Sequence, residues 1–171
     1  MLLDIHWSLR LLRLIAIIMI SIDVISEDKN WSKKIKRKQI FFQSICKSFP
    51  KKYLFTNKKI FFSLMLSNNK NIRKLNKQFR NKNKATDILS FPLQKKNKLK
   101  NNSYLGDIII SYNFMAKPKN QKISLFKEKL IKSFIHGFLH LLGFDHINMK
   151  EYRKMLKEEE KIYQSVIKKI N

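Results

Sequence analysis

The sequence predicts an α+β domain with a mixed sheet. Two observations carry this reading. Short apolar or β-branched runs alternate with longer segments of helical period, in the order β-α-β-α-β-β-α-α. The chain of 171 residues also lacks internal repeats and Gly/Ser-rich linkers, so it reads as one domain. A domain of this size buries about 70% of its unfolded surface and needs no disulfide staple. The single cysteine, Cys46, rules out an internal disulfide in any case.

The elements follow in chain order. Ile20-Ser-Ile-Asp-Val-Ile25 alternates apolar and polar, the period of a strand. Upstream of it, Arg10 and Arg13 precede the apolar run Leu14 to Ile20, which resembles a short signal peptide. Arg13 interrupts that run and no small-x-small cleavage site follows. The expectation is therefore an extension over residues 1–18, with Met19 as the start of a domain covering 19–171. Trp31, Ile35, Phe42, Ile45, Cys46 and Phe49 predict one helix that Pro50 ends. Ile60 to Leu66 reads as a buried strand, and Ser67 or Asn68 can cap a helix with Ile72, Leu75 and Phe79 on one face. Thr86 to Phe91 is a strand closed by Pro92, which favours a sheet edge. Lys95 to Lys100 is a charged loop, and Gly106 to Ser111 is the next strand. After Pro118 a long helix runs to about Leu142, with Phe126, Leu130, Phe134, Phe138 and Leu142 as its apolar stripe. A helix of mixed charge, from about Asn148 to Ile170, closes the chain.

Charge gives the first functional clue. Lys and Arg number 37 against 12 Asp and Glu, a net charge of +25. No acidic residue falls between Asp28 and Asp87, while Lys29 to Lys84 holds 18 basic ones. Such a field attracts polyanions, with nucleic acid and an anionic membrane surface as the two candidates. Lys outnumbers Arg 31 to 6, so lysine-rich coding contributes as well. No apolar run approaches the roughly 20 residues of a spanning helix, which predicts no stable membrane association and a cytoplasmic protein.

The histidines give the second clue. His136 and His140 are one helical turn apart and leave the same face. Gly143 follows, where a left-handed cap would turn the chain and bring His146 round to the pair. Three imidazoles in this arrangement suit Zn²⁺ or a similar ion with one position open for water. The spacing matches the H-E-x-x-H-x-x-G-x-x-H signature of metalloproteases, except that Gly137 stands where the general-base Glu would be. Glycine cannot accept a proton, which counts against a peptidase. Two of only three glycines, Gly137 and Gly143, lie in this motif, and the third, Gly106, opens a strand. Scarce glycines of this kind mark backbone constraints or close approaches.

Three segments together resemble the YbeY family. Phe79-Arg80 to Thr86-Asp87-Ile-Leu-Ser-Phe-Pro92 is similar to its YRxxxxxTDVLSFP segment. Leu105-Gly-Asp-Ile-Ile-Ile-Ser111 is similar to its LGDIxIS strand, and His136 to His146 to its HGxLHLxGYDH motif. The resemblance covers Met19 to the last helix. It implies a mixed four-stranded sheet flanked by helices and a metal-dependent, single-strand-specific endoribonuclease. The implied setting is ribosomal RNA maturation and ribosome quality control. It further implies His136, His140 and His146 as metal ligands, usually of zinc, and Arg80 as a residue needed for activity. Phe79 and Phe144 stand where the family commonly has Tyr, so any hydrogen bond from those hydroxyls is absent here.

The expected site follows. His136 and Arg80 are the catalytic candidates, with Arg80 stabilising charge that develops on phosphate. Asp87, Asp107 and Asp145 are the acidic candidates for a general base or for orienting a ligand histidine from behind. Lys77, Lys82, Lys84 and Phe79 are candidate RNA contacts, with Phe91 and Phe144 as further stacking aromatics and Phe91 better suited to the core. Two other functions fit the same residues: an RNA-binding ribosome assembly factor with a structural metal, and a metallopeptidase of the metzincin type.

Overall fold

The computed structural model describes residues 20–55, 58–93 and 99–170. Residues 1–19, including the signal-peptide-like run and Met19, and most of the loop from Lys95 lie outside the described residues. Four strands, β1 (Ile20–Ser26), β2 (Ile60–Ser67), β3 (Ile88–Pro92) and β4 (Ser103–Ser111), form one sheet in the order β1-β2-β4-β3. β2 runs parallel to β1 and to β4, while β3 is antiparallel to β4. The described helices are α1 (Asn30–Lys34), α2 (Lys38–Lys47), α3 (Asn69–Arg80), α4 (Tyr112–Met115), α5 (Ile123–Leu141) and α6 (Met149–Ile170). The sheet is mixed and the class α+β, as the element order predicts.

Strand alternation sorts the helices onto two faces. Ile108 and Ile110 of β4 join the main core with Phe42 of α2, Phe134 and Phe138 of α5, and Ile162 of α6. Ile109, between them, points the other way and packs with Leu89 and with Ile72 of α3 in a second, smaller core. All five predicted stripe residues of α5 are buried. Cys46 sits inside the main core, and burial pushes its thiol well above the ordinary range, so it is packing material.

The two sheet edges end differently. Pro92 ends β3 at one edge, where the sequence places it. At the other, α2 lays two glutamines along β1. Gln39 Oε1 accepts from Val24 N–H at 3.0 Å, and Gln43 Nε2 donates to Ile20 O at 2.9 Å. These amides replace a missing strand and blunt the edge.

The structure corrects one element. The expected single helix from Trp31 to Phe49 is two, broken at Ile35, which is extended at φ −129° and ψ 99°. A continuous helix would stack Lys33 on Arg37 and Lys34 on Lys38, like charges at i, i+4. The break avoids this and still buries both Trp31 and Ile35. Trp31 Nε1 donates to Ser67 O at 2.9 Å, pinning α1 to the end of β2. Of the two possible caps for α3, Asn68 serves: its Oδ1 accepts from Asn71 N–H at 3.1 Å.

Candidate metal centre

α5 delivers His136 and His140 to the edge of the sheet, and its C-terminus delivers His146. The helix ends in a Schellman cap: Phe144 N–H donates to Leu139 O at 3.0 Å and Gly143 N–H to His140 O at 2.9 Å. Gly143 takes φ +79°, which glycine adopts without strain. The reversal returns His146, whose ring centroid lies 5.5 Å from that of His136 and 5.1 Å from that of His140. One nitrogen from each of the three rings lies within 4.8 Å of the others.

Outer partners set the orientation of two rings. His140 Nδ1 lies 2.9 Å from Phe144 O, an oxygen that the same cap positions. His136 Nδ1 lies 2.7 Å from Glu159 Oε1 of α6. A carbonyl and a carboxylate can only accept, so each neutral imidazole carries its proton on Nδ1 and turns the Nε2 lone pair inward. The two Nε2 atoms face each other at 3.1 Å. Facing lone pairs repel unless a cation sits between them. Nitrogens bound at about 2.0–2.1 Å to one tetrahedral ion stand roughly 3.3 Å apart, so the pair fits a metal ion with little adjustment. Burial, helped by the neighbouring His136 and His146, holds His140 below the ordinary imidazole pKa and keeps it in the neutral, ligating form.

Gly137 is fixed by a close approach. A Cβ there would lie 2.7 Å from Ile88 Cδ1, 3.0 Å from Ser90 Oγ and 3.1 Å from Ile108 Cγ2. α5 therefore rests directly on β3 and β4 beside the histidines. A side chain at this position would have to displace Ile88 and Ser90, and the glutamate that a metzincin carries there as its general base is absent.

The histidines open onto a cleft of about 470 Å³. His136, His140, His146, Phe144 and Asp145 line it together with Arg80, Thr86 and Asp87 and, from β3, Ser90 and Pro92. Arg80 reaches it because α3 stops there, at Asn81 in the left-handed region with φ +55°.

The structure separates the acidic candidates. Asp87 and Asp145 line the cleft. Asp145 Oδ1 accepts from His146 N–H at 2.8 Å, so it braces the loop and not a ligand ring. Asp107 does not line the cleft. One residue out of step with Ile108, it takes the α3 face of the sheet, where Tyr104 Oη donates to it at 2.5 Å. Lys77 and Lys84 face a separate groove, and Lys82 lines neither it nor the cleft. Phe79 is exposed and rests edge-on against Phe91, whose own ring packs on the smaller core. Glu159 is the site residue the motif does not reveal. Its signal is positional: it falls on the inner stripe of α6, four residues after buried Met155 and three before buried Ile162.

Fold and site define a class: an α+β protein with a mixed four-stranded sheet carrying a three-histidine group able to hold a metal ion. The family model described as "Endoribonuclease YbeY" matches residues 21–167. The chain belongs to that family. It is 62% identical over 152 residues to an Endoribonuclease YbeY of Pelagibacter ubique, covering 89% of this chain and 99% of the relative. An Endoribonuclease YbeY of Neorickettsia sennetsu is 32% identical over 79% of this chain and 90% of its own length. The solution structure of TM1509 from Thermotoga maritima superposes with a TM-score of 0.52 at 26% identity, covering 85% of this chain and 88% of that one.

Proposed function

We propose that this chain is a metal-dependent endoribonuclease that cuts single-stranded RNA in the cytoplasm during ribosomal RNA maturation and ribosome quality control. The observation that carries the reading is the pair of inward Nε2 lone pairs facing at 3.1 Å, in a cleft that Arg80 also lines. His136, His140 and His146 would hold the ion. Zinc is the natural choice for three imidazoles with one open position. Such an ion, when bound, supplies Lewis acidity and lowers the pKa of a coordinated water.

The protein's own groups do the rest. Arg80 places a fixed positive charge where a phosphodiester in the cleft gains negative charge. Glu159 and the Phe144 carbonyl hold two imidazoles in one tautomer. Asp87 and Asp145 are the carboxylates within the cleft that can take a proton from an attacking water. Asp107, on the other face of the sheet, is not a candidate for that role.

The test is cleavage of a defined single-stranded RNA by zinc-loaded protein, beside casein as the peptidase control. His136→Ala should lose both metal and cleavage. Arg80→Ala should keep metal, fold and RNA affinity while losing cleavage. If wild type binds RNA but cuts no better than either variant, the chain is an RNA-binding factor with a structural metal.

A further inference from the structure

α3 presents two unlike faces. Inward, Ile72 and Asn76 are buried and Leu75 packs on the smaller core. Outward, Lys70, Arg73, Lys74 and Lys77 recur at i, i+3, i+4 and i+7, all exposed in one stripe. With Lys84 from the following loop they line a groove of about 710 Å³ that has no acidic residue in its walls. Arg73 Nε donates to Asn83 Oδ1 at 2.9 Å, which ties helix to loop and leaves the terminal guanidinium nitrogens open to the groove. Among the described residues none of these five cations joins an ion pair.

Lysine-rich coding does not account for this stripe. Lys70 with Lys74, and Arg73 with Lys77, are like charges at i, i+4, an arrangement that disfavours an isolated helix. α6 is also rich in lysine, yet it interleaves Glu151, Glu158, Glu159 and Glu160. α3 has no acid at all. An uncompensated cationic stripe beside a groove is complementary to a polyanion.

The position of the stripe selects which polyanion. It runs about 15 Å from Lys70 to Arg80 at 1.5 Å per residue, and Arg80 is already a wall of the histidine cleft. Lys84 and Ala85 of the groove are followed directly in the chain by Thr86 and Asp87 of the cleft. Groove and cleft are separate, but they are neighbours along α3 and along the 84–87 segment. We infer that the groove is a second phosphate-binding site, which holds the backbone of single-stranded RNA flanking the bond to be cut. The inference rests on the nuclease reading above and deepens it. The stripe length matches about four phosphates at the 3.4 Å rise of a stacked strand, and contacts to phosphate carry no sequence preference.

The experiment measures binding of the full-length, zinc-loaded chain to a fluorescent single-stranded RNA of mixed sequence, with RNA integrity checked on a gel. The groove variant is Lys70→Ala/Arg73→Ala/Lys74→Ala/Lys77→Ala. The control, Lys119→Ala/Lys122→Ala/Lys127→Ala/Lys168→Ala, removes the same charge from exposed positions elsewhere. Each lost phosphate contact lowers the slope of log K against log salt by about 0.7, so four lower it by about 2.8. Between 50 and 200 mM salt the wild type should then lose about 50-fold more affinity than the groove variant. Circular dichroism confirms that α3 survives, as relief of like-charge repulsion leads one to expect. The inference is overturned if the groove variant keeps the wild-type slope, if the control loses as much, or if the wild type prefers polyglutamate or phosphatidylserine vesicles to RNA. If wild type neither binds nor cuts RNA, the nuclease reading itself fails; if it cuts and only the groove variant is indifferent, the nuclease reading stands without this site.

Discussion

Glu159 is the most informative residue to perturb, because it touches the centre without being a ligand. Its Oε1 lies 2.7 Å from His136 Nδ1, a charge-assisted contact that fixes both the ring angle and the tautomer. A hydrogen bond to a charged group contributes about 1.5–3 kcal/mol. Loss of such an outer partner typically weakens metal affinity 10–100-fold, or about 1.4–2.7 kcal/mol, and the two figures agree. Glu159→Ala should therefore raise the zinc dissociation constant by that factor. Glu159→Gln keeps an acceptor oxygen in place and should cost less. The assay is competition against a zinc-binding dye, with unfolding followed in parallel. It reads affinity, so it does not depend on turnover. Equal affinity in wild type and Glu159→Ala would refute the orienting role. Equal losses in the two variants would mean that the carboxylate's charge matters and its geometry does not.

Three further outcomes follow from other parts of the structure. Arg80→Ala should lower the cleavage rate by about 10²–10³-fold, the usual effect of removing a preorganised charge, with zinc content unchanged by elemental analysis. Gly137→Ala should overpack α5 against Ile88 and Ser90, costing about 1–3 kcal/mol against a helix-propensity gain of about 1, so a raised melting temperature would contradict the packing described. Glu158 resists protonation. Burial opposes its charge, but hydrogen bonds from Tyr53, Lys52 and Lys161 overcome that and hold its pKa at about 2, below the ordinary 4.5. A depressed carboxylate stabilises the fold fully above about pH 4.5, and that contribution is lost as pH falls toward 2. Glu158→Gln should cost about 1–3 kcal/mol at neutral pH and flatten this acid limb in urea titrations.

Periodicity made much of this legible in the sequence. The stripe of α5, the cap at Asn68 and the edge position of Pro92 are local statements, and local physics decides them. The break between α1 and α2 was hidden because no side chain caps α2; Arg37 stands at its N-cap without a capping hydrogen bond. The histidine grouping was legible because one helix and its terminal turn supply all three rings. The carboxylates were not, because they depend on packing between elements remote in sequence. Asp107 looked usable until strand alternation placed it on the α3 face. Glu159 is 23 residues from His136, and only the packing of α6 on α5 joins them.

Cleft and groove should also respond differently to metal. The ionisable side chains lining the cleft, apart from the histidines, are Arg80, Asp87 and Asp145, which sum to one negative charge. That cleft alone repels a phosphodiester. Imidazoles that hold a metal are neutral, so a divalent ion bound by the three brings the sum to one positive. The groove, with five cations, attracts RNA whether or not metal is present. Chelation should therefore weaken RNA binding only in part, and the residual affinity should keep the steep salt dependence that the groove supplies. Binding isotherms at several salt concentrations, for zinc-loaded and zinc-free protein with circular dichroism on both, test this directly. Equal affinity with and without zinc would mean that the strand does not enter the cleft. Loss of the circular dichroism signal on chelation would mean that the ion holds the fold together, and the structural-metal reading would replace the catalytic one.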